Sequence, residues 1–215
     1  MKLIAFAAFP VRAGALLALA VLSGCALPLP DKPVRPAAYD LGAPAAAPAA
    51  SGAAATGAPL AFDRVEAPAA IDTSALVYRL LYAGGEQQPR PYAQARWSMS
   101  PPQLVGQRLR DALAATRPVL EPGTGLAALE LRADLEEFDQ VFSAPTASEG
   151  VVRLRVTVFA PQARQTRLLG QRSFTQRRPA PTADAPGGAL ALREATDALV
   201  REVVDWVGTL AVPRS

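Results

Sequence analysis

The chain has 215 residues with 22 Lys and Arg against 19 Asp and Glu, half of its residues are hydrophobic, and it holds one Cys and no His. The lack of histidine excludes Ser-His-Asp and Cys-His catalysis and histidine-ligated metal sites, and a single Cys excludes a disulfide within the chain. A net charge of +3, with no Lys/Arg cluster interleaved with aromatics, is no nucleic-acid footprint, and no Gly-x-x-x-x-Gly-Lys-Ser/Thr stretch offers a P-loop.

Lys2 and Arg12 precede an unbroken apolar run, Ala13 to Leu22, and small Ser23 and Gly24 lead to Cys25. This is the plan of a secretory signal, with an apolar core too short to span a bilayer. The stretch Leu22-Ser23-Gly24-Cys25 resembles the lipobox of bacterial lipoproteins. That resemblance implies a signal peptide over 1–24, cleavage before Cys25, a diacylglycerol on its thiol and a fatty acyl group such as palmitate on its amine. One acyl chain holds a protein only reversibly, at about 0.8 kcal/mol per buried methylene, whereas several hold it stably. Ala26, where an Asp would favour the inner membrane, implies by the same resemblance the inner leaflet of the outer membrane. The alternative is an ordinary cleaved signal or a short core helix with an inert Cys25.

Residues 26–38 are too rich in proline for a helix or a central strand. Tyr39-Asp40-Leu41 is a candidate short strand. Residues 42–59 are almost wholly Ala, Pro, Gly, Ser and Thr, with nothing large to bury against the entropy of ordering. Residues 25–59 are therefore expected to be an acylated N-terminus and disordered tether. The folded domain is expected over 60–210, with 211–215 a tail.

Leu60 to Glu66 reads as a strand. Ala75 to Tyr82 carries apolar residues on both faces, as a covered central strand does. Gly84-Gly85 turns it toward a hairpin partner at Pro91 to Arg96. Ser100, Pro101 and Gln103 predict a helix start with a capping box, and Met99 and Leu104 a hydrophobic staple. Val105, Leu109, Ala112 and Leu113 form its apolar stripe, with Arg108, Arg110 and Asp111 outside it. Leu129, Leu131, Ala133 and Leu135 alternate with charged residues, and Phe138 falls on the other parity, which predicts a bulge near Glu136-Glu137. Val152 to Val158 alternates likewise, and Leu168 to Gln176 is a weaker strand. A loop over 177–188 leads to a helix over 189–210, striped by Leu192, Ala195, Leu199, Val203, Trp206 and Leu210. Arg193, Asp197, Arg201 and Asp205 form an i,i+4 ladder that reads as a solvated face. The expected fold class is α+β, an antiparallel or mixed sheet of about six strands with two main helices packed on it.

These elements, in this order behind a lipobox, resemble the ABC-type transport auxiliary lipoprotein family, which includes the paraquat-inducible C type. Tyr39-Asp40-Leu41 is similar to the family's opening Tyr-x-Leu. Leu76-Val77-Tyr78-Arg79 is similar to its hallmark strand. Trp97-Ser98-Met99-Ser100-Pro101-Pro102 is similar to the Trp and Pro-Pro that open its helix. The resemblance covers most of 39–210, and the Ala/Pro stretch after Leu41 is long for the family. It implies a membrane-anchored accessory of an MCE-type (mammalian-cell-entry) ABC lipid transporter, with that transporter's MCE-type substrate-binding protein as partner. It implies no catalysis and no cofactor, and leaves a homo-oligomer open.

Trp97, Tyr78 and Arg79 are candidate partner contacts, against a structural reading of each as a core or backbone-satisfying residue. Glu136, Glu137 and Asp139 are the densest carboxylate group. Paired carboxylates can do acid–base work when their pKa values are driven apart, so an envelope hydrolase stands as a further alternative beside a lipoprotein that assists assembly of another outer-membrane machine. A wet strand end is the simpler account of the group. No residue is assigned as catalytic or metal-binding, and Cys25 is the one assigned modification site.

Overall fold

The computed structural model describes residues 35–43, 56–161 and 165–211. The signal segment, Cys25 and most of the Ala/Pro stretch lie outside the described residues. Chain order is β1 (Ala37–Tyr39), β2 (Leu60–Glu66), β3 (Ala75–Leu80), a 3-10 turn (Leu81–Ala83), β4 (Gly85–Trp97), α1 (Pro101–Ala114), β5 (Val119–Leu120), β6 (Leu129–Ala144), β7 (Ala147–Ala160), β8 (Arg167–Pro179) and α2 (Ala185–Thr209).

The long β6 is the spine of a forked, mixed sheet. Along one edge it pairs antiparallel with β7 from Glu130↔Phe159 to Ala144↔Ala147, and β7 pairs antiparallel with β8. Along its other edge the first half runs parallel to β2 and the second half parallel to β3. The β2 branch ends in β5, and the β3 branch continues through β4 to β1. The described residues thus hold eight strands where about six were expected. Of the two further strands, β1 lies at Ala37–Tyr39, two residues ahead of the candidate strand Tyr39-Asp40-Leu41, and β5 has two residues, too few to show a period of two. The expected bulge is present: the β6–β7 register steps between Leu135 and Glu137, which leaves Glu136 extra and returns Phe138 to the core face at 3% exposure.

Both helices pack on one face of this sheet, α2 over β7 and β8 and α1 against β2. Leu104, Val105, Leu109 and Leu113 of α1 are buried, as are Leu192, Leu199, Val203 and Val207 of α2. Each such side chain contributes about 1.5–3 kcal/mol of transfer free energy. On β7 a Cβ at Gly150 would lie 2.5 Å from Leu192 N, so the backbones of sheet and helix touch there.

The second helix begins four residues before the expected Ala189, and β8 runs on to Pro179, so the loop shrinks to 180–184. Asp184 is the cap: its Oδ1 accepts from Gly187 N–H at 2.9 Å and from Thr182 Oγ1 at 2.6 Å. Gly187 and Gly188 look like breakers but are packing residues. A Cβ on Gly188 would sit 2.0 Å from Gln140 Oε1, and one on Gly187 2.1 Å from Thr182 O.

The start of α1 is as expected in residue type. Gln103 closes its half of the box, with Ser100 N–H donating to Oε1 at 3.3 Å. The other half is also in place, with the Ser100 side chain facing the Gln103 N–H, although that N–H is aligned best on the Ser100 carbonyl at 3.0 Å. Met99 is 40% exposed while Leu104 is buried.

The expected tether is fastened at both of its described ends. Tyr39 pairs with Trp97, and Leu41 is buried at 3% exposure. At the far end Gly57 N–H donates to Thr116 O, and Pro59 O accepts from Ala128 and Leu129. The compact unit accordingly begins at Arg35, ahead of the expected Leu60.

Candidate functional site

Cys25 lies outside the described residues. Trp97, taken as a candidate partner contact, is fully buried and packs edge-on against Phe138 at 5.4 Å, so it offers no surface to a partner. Tyr78 is half-buried and stacks on Tyr92 at 4.6 Å and Phe142 at 5.8 Å. Arg79 donates from Nε to Asp139 Oδ2 at 2.6 Å and from Nη1 to Glu86 O at 2.8 Å. The two adjacent residues serve opposite faces of β3, as strand alternation requires.

The carboxylate group is neutralised residue by residue. On the helix-free face Glu137 lies 3.1 Å from Arg153, Glu136 3.2 Å from Arg155, and Asp139 pairs with Arg79. Arg155 also reaches Asp134 at 3.6 Å, and Arg132 pairs with Glu130 at 2.9 Å while covering the Phe159 ring. Each carboxylate of the group faces a guanidinium, and no two of them face one another across a shared proton. The more exposed of these pairs contribute about 0–1 kcal/mol each, whereas Asp139 is itself buried at 7% exposure. Among the described residues no group of three His, Cys, Asp or Glu could hold a metal ion, and no helix is long and apolar enough to cross a membrane.

Two polar clusters were not expected from the sequence. Arg108, placed outside the α1 stripe, is 7% exposed. Its Nη2 donates to Leu41 O at 2.6 Å and Gly42 O at 2.7 Å, and its Nη1 lies 2.9 Å from Asp197 Oδ1 of α2. Nη1 is within ion-pair distance but outside hydrogen-bond alignment, so this contact is mainly coulombic. Asp197 is therefore no part of a solvated ladder: it is 8% exposed and turned to the other helix. The signal was present, since Arg108 follows Leu104 by four residues and Val105 by three and so shares their face.

The second cluster is centred on Gln140, which is fully buried. Its Oε1 accepts from Tyr92 OH at 2.8 Å, and its Nε2 donates to Ser148 Oγ at 2.8 Å and Asp184 O at 3.1 Å. Burial, then the neighbouring Tyr78 and Asp184, push the Tyr92 phenol up to about 12, which keeps it a neutral donor. Gln140 and Ser148 are buried, Tyr92 is half-buried, and exposed Asp184 takes part through its backbone carbonyl, so the network joins the sheet to the start of α2.

What remains accessible is shallow. A cleft of about 610 Å³ on the helix-free face is lined by Glu130, Arg132 and Asp134, which are ion-paired, by Thr157 and Gln171, which hydrogen-bond each other, and by Phe159. The described residues thus form an α+β domain with a core of aliphatic residues and an ion-paired open sheet face. The chain belongs to the ABC-type transport auxiliary lipoprotein component family, whose model matches residues 39–204.

Solved structures agree on the fold. Protein XCC0632 from Xanthomonas campestris is 18% identical, with a TM-score of 0.63 over 81% of this chain and 93% of that one. The hypothetical protein CT253 from Chlamydia trachomatis is 10% identical, with a TM-score of 0.50 over 70% of this chain and 95% of that one. No curated protein matches the chain.

Proposed function

We propose that this protein is a non-catalytic, lipid-anchored accessory of an MCE-type ABC system that moves lipid between membranes. The observation that carries the reading is the family match across residues 39–204, which takes in the sheet and most of both helices. The lipobox-like Leu22-Ser23-Gly24-Cys25 supplies the anchor and Ala26 the outer-membrane address, so the domain faces the periplasm. The mechanism is docking. The anchored domain meets the periplasm-crossing MCE-type protein at roughly millimolar local concentration, which a free domain lacks.

The test is affinity isolation of the full-length lipoprotein from detergent-solubilised envelopes. Recovery of an MCE-type protein, reduced when Cys25→Ser removes the anchor before solubilisation, is the expected result. Recovery of an outer-membrane assembly protein in its place overturns the transport reading. Loss of envelope-barrier function on Glu136→Gln or Glu137→Gln, in a protein that folds normally, overturns the non-catalytic reading.

A further inference from the structure

The sheet has two long open edges among the described residues: β8, and the part of β4 before Ala95, which β1 leaves uncovered and which Pro89 and Pro91 interrupt. β1 and β5 close the two branches with three and two residues, whereas β8 has thirteen and pairs only with β7. Ala180 N–H donates to Ser148 O, and the β7–β8 register then runs without a step from Glu149↔Pro179 to Val158↔Gly170. Antiparallel pairs alternate in the direction of their backbone groups. Arg178, Gln176, Phe174 and Arg172 therefore turn their N–H and C=O toward β7. Arg177, Thr175, Ser173 and Gln171 turn theirs outward, and all four are exposed. Pro179 follows the same parity, so its missing N–H falls on the open side, where a strand tolerates proline.

The edge is also strongly one-signed. β8 carries Arg167, Arg172, Arg177 and Arg178 and no acidic residue. Arg172 and Arg177 have partners in Glu202 and Glu149, while Arg167 and Arg178 make no ion pair among the described residues. A second copy of β8 laid on this edge brings four arginines against four, which like-charge pairing opposes. An extended segment with acidic residues meets the opposite situation.

We propose that the open edge of β8 is a docking site for an extended, acidic strand of a partner protein, which adds to the sheet through the outward N–H and C=O groups of Gln171, Ser173, Thr175 and Arg177. Strand addition of this kind draws affinity from main-chain hydrogen bonds and specificity from alternate side chains. Incoming carboxylates meet Arg178, which makes no ion pair among the described residues, and compete with Glu202 for Arg172 on one face and with Glu149 for Arg177 on the other. This deepens the docking reading and rests on it for the existence of a partner.

The probe is a nine-residue peptide of alternating Glu and Val, beside a Lys and Val peptide of the same length, titrated onto the folded protein by fluorescence anisotropy. Amide exchange is followed by NMR in parallel. The acidic peptide is expected to bind and to slow exchange at Gln171, Ser173, Thr175 and Arg177. Thr175→Pro removes one outward donor without touching the β7 ladder and is expected to weaken binding by about tenfold or more. If Thr175→Pro melts far below the wild type, an acidic peptide N-methylated at alternate residues takes its place. An Arg167→Glu/Arg178→Glu variant is expected to lose its preference for the acidic peptide. Equal binding of both peptides, protection elsewhere in the domain, or no binding overturns the proposal. The last outcome would mean that the arginines and Pro179 serve only to keep the edge from pairing with itself. The peptide assay involves no transporter, so its failure leaves the envelope isolation result standing, and the reverse holds as well.

Discussion

Arg108 and Asp197 meet where α1, α2 and the segment after β1 converge, and removing one partner strands the other in the interface. Asp197→Leu leaves a guanidinium at 7% exposure that keeps its bonds to the Leu41 and Gly42 carbonyls. The loss should fall at the low end of the range for a broken buried pair, about 3 kcal/mol. Arg108→Met strands the Asp197 carboxylate and also frees both carbonyls, so it should cost about 4–5 kcal/mol. At about 2–4 °C per kcal/mol for a domain of this size, the melting temperature falls by roughly 6–20 °C. The double variant Arg108→Met/Asp197→Leu should be more stable than Arg108→Met alone, because no carboxylate is stranded, while the part lost with the Leu41 and Gly42 carbonyl bonds stays lost. The assay is urea and thermal denaturation of the four proteins. Limited proteolysis near Asp40–Gly42 adds a local readout and should quicken in Arg108→Met. Single variants that each lose under about 1 kcal/mol, with an additive double, would refute the claim that the pair is buried and coupled.

Gly150→Ala drives a methyl into the α2 backbone at Leu192 and should cost about 1–3 kcal/mol in denaturant melts, as overpacking does. Ser100→Ala should cost about 0.5 kcal/mol, the low end for a cap, because the Gln103 N–H that its side chain faces also bonds the Ser100 carbonyl, whereas Asp184→Ala should cost about 0.5–2 kcal/mol. The Thr182 hydroxyl and the Gly187 amide hold the Asp184 carboxyl below its usual range. Its contribution is therefore complete above the unfolded value of about 3.9 and is lost as pH falls through the depressed one, so Asp184→Asn should flatten that limb of an acid titration followed by circular dichroism. Deleting residues 45–52 should leave the melting temperature within a few degrees of wild type, since only small side chains are removed.

The strands were legible where one face is wet. Leu129 to Leu135 and Val152 to Val158 alternate because charged residues share the opposite face, and that parity alone located the bulge at Glu136. The hairpin outruns this pattern at Asp139, Gln140 and Ser148, whose burial depends on partners far along the chain: Arg79, Tyr92 and Asp184. Gly187-Gly188 misled for the same reason. A glycine chosen for close packing is indistinguishable in sequence from one chosen to end a helix, until Gln140 is seen against it. Charge usually goes to water, which is why Arg108 and Asp197 read as solvated in the sequence, although the helical position of Arg108 points inward. Trp97 was legible as an aromatic at a strand end and became a core residue only through Phe138.

The fastening of β1 has a mechanical consequence. If Cys25 is held in a bilayer, as proposed, a pull on it reaches the fold at Ala37, along a strand whose three pairs with β4 are loaded in shear, backed by Leu41 in the core and Arg108 on the following carbonyls. The distance at which the domain stands from the bilayer is then bounded by residues 26–36, about 40 Å at full extension. The Ala/Pro stretch between Gly42 and Gly57 is anchored at both ends and lies outside this line of force. Its length can drift without altering the standoff, whereas each residue inserted before Ala37 lengthens the leash by about 3.5 Å.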